Sequence, residues 1–463
     1  MSPHTQPPDQ SSRRARSSPL LGWLALCFVL AATGCAAPAR PKVRLAAYSW
    51  WKRPSEQRAF ENVLRIYNSS QSQAEAFNEV SDTNADAVRS TLTALLLAGA
   101  APSTFQANAG ADLLRWSVVD TDDPRVPSST RIAPLTDQYK RNELFDALPP
   151  LLIQALSAGP NGGLPYAVPI NIHRLNMMYY NAVGLAQFGE RNSGSSFLDP
   201  AVLCPPDLDD KLADPNARLD LNIAVGTDDD FALTLFALET VLPAVAGAPA
   251  YDQLFHGRPT TGWEEPVRHA LRCVQYLSRS FLDDRDKSWA DALAQVQTGS
   301  ADFSVMGDWA NGELKTALDS GQVIAQPFPG SEAVFVFTSD TFPLPVEAPY
   351  AADSAAFLDT IASREAQYAF SLEKGSIPAR NDVDVSGLGP LAVQSRADFY
   401  SDDITKELAT SGLFPPYYPS ELNERLAAMT KPGADQSSVD DVIDLLRDAE
   451  PLLDRWQKRM AGR

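Results

Sequence analysis

The sequence predicts an α/β protein with mostly parallel sheets. Two observations carry this. Short runs rich in β-branched and aromatic residues alternate, along most of the 463 residues, with longer segments whose apolar residues recur at helical spacing. Hydrophobic residues make up 44% and charged residues 21%, the balance of a globular chain with a substantial core, which excludes a disordered or collagen-like protein.

The first forty residues read as an address rather than as fold. Arg13, Arg14 and Arg16 sit in a Ser/Pro-rich stretch, an apolar run follows over 20–32, and Ala32, Thr33 and Gly34 precede Cys35. A basic start, a short apolar run and small residues make a secretory signal over 1–34. Small residues directly before a cysteine resemble a bacterial lipobox, in which Cys35 is lipidated and becomes the new N-terminus. The alternative is an ordinary signal peptide with a chance cysteine. Residues 35–42 then read as a flexible tether. No apolar run of 18 residues is evident after residue 40, so the mature chain is expected not to span a membrane.

Residues 43–51 (VRLAAYSWW) suit a first buried strand. A helix follows over 55–68, with Ala59, Phe60, Val63, Leu64 and Tyr67 at helical spacing. A second helix spans 85–97, stopped by Gly99 and Pro102, and 103–106 (STFQ) is another short strand. Residues 167–181 are extended and apolar with embedded polar side chains; 302–306 and 334–338 are further strands. Helices dominate 351–372 and 439–460, whereas 193–221 and 378–418 are Pro- and Asp-rich and read as long surface loops. Cys204 and Cys273 could pair in an oxidising compartment or be small buried apolar residues.

Lys plus Arg number 39 against 58 Asp plus Glu, a net charge of −19 that repels phosphate backbones and argues against nucleic-acid binding. Four histidines leave little material for a metal site, and no cofactor is expected. No G-x-S-x-G elbow, H-E-x-x-H helix, phosphate-binding loop or C-x-x-C pair occurs. Asp228, Asp229 and Asp230 read as a solvated loop, and Tyr179 and Tyr180 as core.

Polar and aromatic residues cluster instead at the expected strand ends: Trp50 and Trp51, Gln106 and Asn108, Asn171 and His173, Asp308 and Trp309, Asp340, then Lys374 after a helix. In open α/β sheets, ligands bind beyond the carboxyl ends of the strands. Aromatic faces that stack on C–H patches, beside carboxylate, amide, imidazole and ammonium groups, suit a polyhydroxylated ring. At least one of Trp50, Trp51 and Trp309 is expected to stack on it, while Asp340, Lys374 and Asp308 fix its orientation. Asp340 and Lys374 are expected to hold each other when the site is empty.

The runs YSWW (48–51), STFQANAG (103–110), YAVPINIHRLNMMYYN (166–181), ADFSVMGDWANG (301–312), QPFPG (326–330), FTSDTFPLP (337–345) and KGSIPAR (374–380) together resemble bacterial extracellular solute-binding proteins of family 1, the sugar-binding components of ABC importers, and within them the glucose/galactose-type branch. The resemblance implies two α/β lobes with crossover hinges and a ligand cleft between them. By analogy one lobe holds 43–168 with 340–373 and the other 174–336 with 377–463. It further implies a monomer that takes a mono- or small oligosaccharide to the permease subunits of the transporter, without catalysis.

Three departures stand out. Asn108 replaces a histidine of the family pattern; 226–231 (GTDDDF) lacks the second-lobe tryptophan expected there; and 196–200 (SFLDP) replaces the usual T-W-D-E-F helix start. A lost ring and extra acids suit a more polar or cationic ligand, such as an amino sugar. Two other functions compete: an extracellular glycoside hydrolase using Asp308 and Asp340, and a sensor or scaffold that has kept the fold without transport.

Overall fold

The computed structural model describes residues 42–71, 73–80, 85–117, 129–159, 163–255, 262–282, 287–414 and 418–460. The signal, Cys35 and most of the tether lie outside the described residues.

In the first lobe, Val43–Ser49 runs between two parallel partners, Ala74–Val80 and Thr104–Phe105. The helix Pro54–Ser70 opens on a proline, whose missing N–H costs nothing at a helix start, and buries Ala59, Phe60, Val63, Leu64 and Tyr67 along one face. Against this face pack Trp51, Phe342, Phe357 and Phe370, with Phe60 and Phe342 stacked at 5.5 Å. In the second lobe, Met177–Asn181 lies antiparallel to both Phe303–Met306 and Val323–Pro327, while Ile223–Ala224 runs parallel to Phe303–Met306. Both lobes therefore end parallel strands on the same kind of edge. Beyond Ser49 and Phe105 come Trp50 and Gln106; beyond Ala224 and Met306 come the 226–231 loop and Asp308.

A four-stranded sheet joins the lobes, in the order Ile377–Pro378, Asn171–Arg174, Val334–Thr338, Thr405–Leu408. Val334 and Val336 turn into the second core and Phe335 and Phe337 into the first, as the two-residue period of a strand requires. The chain changes core between Ile172 and Leu175.

Several expectations need correction. The sheets are mixed: strands that return between the lobes pair antiparallel, as Asp340–Pro345 does with Ala167–Pro169, Ala107–Asn108 and Ile132–Ala133. Residues from 377 onward do not all belong to the second lobe. Ile377, Ala379, Ala392 and Phe399 pack into the first core, because Phe399 sits edge-on to Phe335 and Phe337; the chain joins the second core only at Ala409. Nor is 378–418 a surface loop: it contains the helix Pro390–Tyr400 and the paired strand Thr405–Leu408. Short helices also occupy 193–221, at Pro200–Leu203 and Leu208–Ala213. The run Ala232–Phe255 is long and apolar enough by composition to cross a membrane, contrary to the sequence reading. It is 67% buried within the protein and breaks helical geometry at Gly247, which marks a core segment. Cys204 and Cys273 are free thiols in hydrogen-bonding contact. Burial pushes the Cys273 thiol well up.

Candidate functional site

A cleft of about 1360 Å³, counting its open mouth, lies where the carboxyl ends of the two sets of parallel strands face each other. Of the residues singled out from sequence, Trp50, Trp51, Asn108, His173, Trp309, Asp340 and Lys374 line it. Gln106, Asn171 and Asp308 do not line it, but they hold residues that do. Gln106 Nε2 donates to Asp340 Oδ1 at 2.7 Å, and Asn171 Nδ2 donates to Asp340 Oδ2 at 2.9 Å. Asp308 accepts from His173 Nδ1 in a very short contact, and its Oδ2 accepts from Arg174 N at 3.0 Å.

The floor of the cleft is thus a buried Asp308–His173–Asp340 array at the crossover. His173 Nε2 lies 3.2 Å from Asp340 Oδ2. Burial alone would lower the His173 pKa, but the carboxylates of Asp308 and Asp340 on its two sides more than offset this and raise it. Burial would likewise raise the Asp340 pKa. The His173 hydrogen bond and charge, the Lys374 charge and the Asn171 amide prevail and lower it. Both Asp340 oxygens are occupied from within the protein, and Asp308 does not reach the cleft.

Two expected roles change. Asp340 and Lys374 do not hold each other: Lys374 Nζ pairs with Glu56 Oε1 at 2.6 Å, because Glu56 in the first turn of Pro54–Ser70 faces the last turn of Arg364–Lys374. Trp51 is core. It is 0% exposed among Phe60, Phe342 and Phe370, so it offers no face to a sugar.

The half-buried rings that line the cleft are Trp50, Trp309 and Phe231, and sequence reading missed a fourth lining ring, Trp289, which is 6% exposed and packs into the second core. Trp50 is half-buried with the Arg89 guanidinium 5.1 Å from its ring. Trp309 is half-buried, edge-on to His173 and Phe231, and folds back over Gly307, where any Cβ would meet the ring at 2.1 Å. Trp289 stands beside Gly226, where a Cβ would meet the Trp289 backbone nitrogen at 2.3 Å; that N–H donates to Asp229 Oδ2 at 2.6 Å. The 226–231 loop lacks its tryptophan, and a ring from the next helix, Trp289–Thr298, lines the cleft beside it. Arg53 of the first lobe lies 4.6 Å over that ring.

Other lining residues were not singled out from the sequence: Glu56, Arg53, Arg89, Asp112, Glu239 and Thr410. Asp229 and Asp230 also line the cleft, so the 228–230 acids are more than a solvated loop. Arg89 Nε pairs with Asp112 Oδ1 at 3.1 Å. From the second lobe, Glu313 Oε1 accepts from Ser55 N at 3.1 Å and Ser55 Oγ at 2.6 Å, so one lobe caps a helix of the other. Among the described residues no cluster of three or more His, Cys, Asp or Glu could hold a metal ion.

Two lobes joined by crossover strands, with a polar and aromatic cleft between them, make up the fold that solute-binding proteins share. The comparisons agree. The chain is 26% identical over 411 residues to an uncharacterized ABC transporter extracellular-binding protein of Pyrococcus horikoshii, covering 87% of each. It is 26% identical over 342 residues to a probable sugar-binding periplasmic protein of Mesorhizobium japonicum, covering 72% of this chain and 75% of that one. Among solved structures, the solute receptor AcbH, described as preferring β-D-galactopyranose, superposes with a TM-score of 0.69 at 15% identity, covering 89% and 99% of the two chains. The maltose-bound MalE3 of T. maritima superposes at 0.65 and 13% identity, covering 88% and 99%. No protein-family model matches. The family resemblance and the two-lobed fold read from the sequence therefore hold.

Proposed function

We propose that the chain is the extracytoplasmic sugar-binding component of an ABC importer. It captures a mono- or small oligosaccharide by closure of the lobes and delivers it to a permease. Residues 1–34 are a removed signal, Cys35 carries the lipid, and the mature protein sits at the cell envelope as a monomer tethered to the membrane. The observation that carries this reading is the cleft itself. Trp50 and Asn108 from one lobe face Trp289 and Trp309 from the other across an internally satisfied His173–Asp340 floor. Stacking rings supply the apolar contact, and Asn108, whose amide has no side-chain partner among the described residues, supplies a hydrogen bond to a hydroxyl.

Calorimetric titration of the purified mature chain with a panel of mono- and disaccharides tests this. Saturable binding of at least one, lost in a Trp309→Ala variant that still folds, is expected. A folded protein that binds none of them overturns the reading. For the anchor, Cys35→Ser should release the protein or leave an uncleaved precursor; unchanged membrane retention with an unchanged mature N-terminus rejects it.

A further inference from the structure

The two walls of the cleft differ in charge balance. Every cation that lines it comes from the first lobe or the crossover. Lys374 is held by Glu56 and Arg89 by Asp112, while Arg53 lies on the Trp289 ring. The second lobe contributes Asp229, Asp230 and Glu239 and, among the described residues, no Lys, Arg or His.

Glu239 is the most constrained of the three. It is 4% exposed and sits in the π-helical turn Leu235–Val241. A π-turn is rare and collects at functional sites; its i→i+5 bonding brings residues five apart to the same side. Thr234 and Glu239 accordingly both line the cleft. Glu239 Oε1 accepts from Thr410 N at 2.8 Å and from Thr410 Oγ1 at 2.5 Å, while Oε2 has no partner among the described residues. Independently, the hydroxyls of Thr234 and Thr338, both of which line the cleft, are buried and unpartnered. A buried donor or acceptor without a partner is costly, so these atoms mark where a ligand's polar groups belong. A carboxylate beside them, once the lobes close, must either take up a proton or meet a positive group, because removing water from an unpaired charge is far costlier than removing it from a hydroxyl; an ammonium meets it as it stands. Tyr251 and Glu407 stand behind Glu239 and supply no cation.

We infer that the sugar carries a protonated amine, making it an amino sugar, and that Glu239 is the residue that selects it. This rests on the sugar-binding reading above. The test is calorimetry at neutral pH with matched pairs that differ at one position: glucose, glucosamine and N-acetylglucosamine, then the galactose series. In at least one series the ammonium form should bind at least about tenfold tighter than its hydroxyl and N-acetyl counterparts, about 1.4 kcal/mol. Glu239→Gln should abolish the preference, and Glu239→Asp should keep part of it. A hydroxyl or N-acetyl sugar bound as tightly as its amine, or a preference that survives Glu239→Gln, overturns the inference while leaving sugar binding intact. A folded protein that binds neither series but binds a neutral sugar of the wider panel also overturns the inference, and one that binds no sugar at all fails the underlying reading instead. The wild-type comparison decides even where a variant does not fold.

Discussion

The first-lobe wall of the cleft is built largely from pairs and rings that satisfy one another. Glu56 and Lys374 close a gap between two helix ends, Asp112 holds Arg89, and Trp51 is sealed into an aromatic core. The second-lobe wall is built from rings and acids held by close backbone approaches: Trp289 against Gly226, Glu239 against Thr410, Trp309 folded over Gly307. The first wall pairs Lys374 and Arg89 internally before any ligand arrives, while the second leaves an oxygen of Glu239 and the Thr234 hydroxyl unanswered. The first wall thus carries most of the rigidity, with Trp50 and Asn108 left to meet a ligand, and the second carries most of the recognition. The crossover array of Asp308, His173 and Asp340 belongs with the first wall in this respect, since its groups satisfy one another.

If that division is right, changes in the first wall cost stability and changes in the second cost affinity. The largest effect is expected for Lys374→Ala. It leaves Glu56 buried and unpaired, and breaking such a pair costs about 3–5 kcal/mol of unfolding free energy. Adding Glu56→Gln should recover much of the loss in chemical denaturation. A single variant with a cost under about 1 kcal/mol would place the pair in solvent. Trp51→Ala should follow at about 3–5 kcal/mol, as for a large core ring, with little change in the affinity of the folded fraction. Trp289→Ala should differ in weakening sugar binding about tenfold or more, on top of a stability cost, since its ring lines the cleft and also packs into the second core. Two tryptophans that behave alike in both assays would erase the distinction between the walls.

Asp340→Asn tests the floor. Its carboxylate takes bonds from Gln106, Asn171 and His173, and charged hydrogen bonds contribute about 1.5–3 kcal/mol. The variant should lose stability of that order and, through a displaced His173, about one decade of affinity. Loss of affinity with an unchanged melting temperature would make Asp340 a direct ligand contact rather than a positioning residue.

Much of this architecture was legible in the sequence because periodic patterns report local structure. Apolar spacing located Pro54–Ser70 and Ala85–Leu97, and β-rich runs located Val43–Ser49 and Val334–Thr338. Strand ends pointed to Trp50, His173, Trp309 and Asp340, since position after a strand is a one-dimensional signal. What stayed hidden depends on approach between distant segments. Nothing in the sequence says that Trp289 stands beside Gly226, or that Glu56 meets Lys374 across 318 residues. The 390–408 segment looked like loop because its Pro and Asp content outweighed the few apolar residues that Phe335 and Phe337 anchor. Glu239 carried one readable clue: an acid inside the apolar run LFALETV is rarely buried without a reason.

The smallest expected effect concerns acids behind the second wall. Burial raises the carboxyl of Glu239 from 4.5 to about 6, against the two bonds from Thr410, and burial with the neighbouring Asp252 charge raises that of Glu407 to about 7. A carboxyl with a raised folded pKa binds protons more tightly in the native state than in the unfolded chain. Its favourable contribution is complete below about 4.5 and is lost as pH climbs through the folded value. His173 has the same sign, because its raised pKa gives stability below about 6.5 that fades as pH passes its folded value. Asp340 has the opposite sign, but its lowered pKa confines the loss to pH below about 3.8. Between pH 5 and 8 the protein should therefore grow less stable with rising pH. Glu407→Gln removes one of these contributions, so its melting temperature should match wild type near pH 5 and exceed it by about 1 °C or more at pH 8. Glu239→Gln should show a similar slope change displaced about one pH unit lower, in the absence of sugar. Melting curves in a pH series read both. Parallel wild-type and Glu407→Gln profiles would mean that Glu407 is solvated, and that the second wall carries less buried charge than its geometry implies.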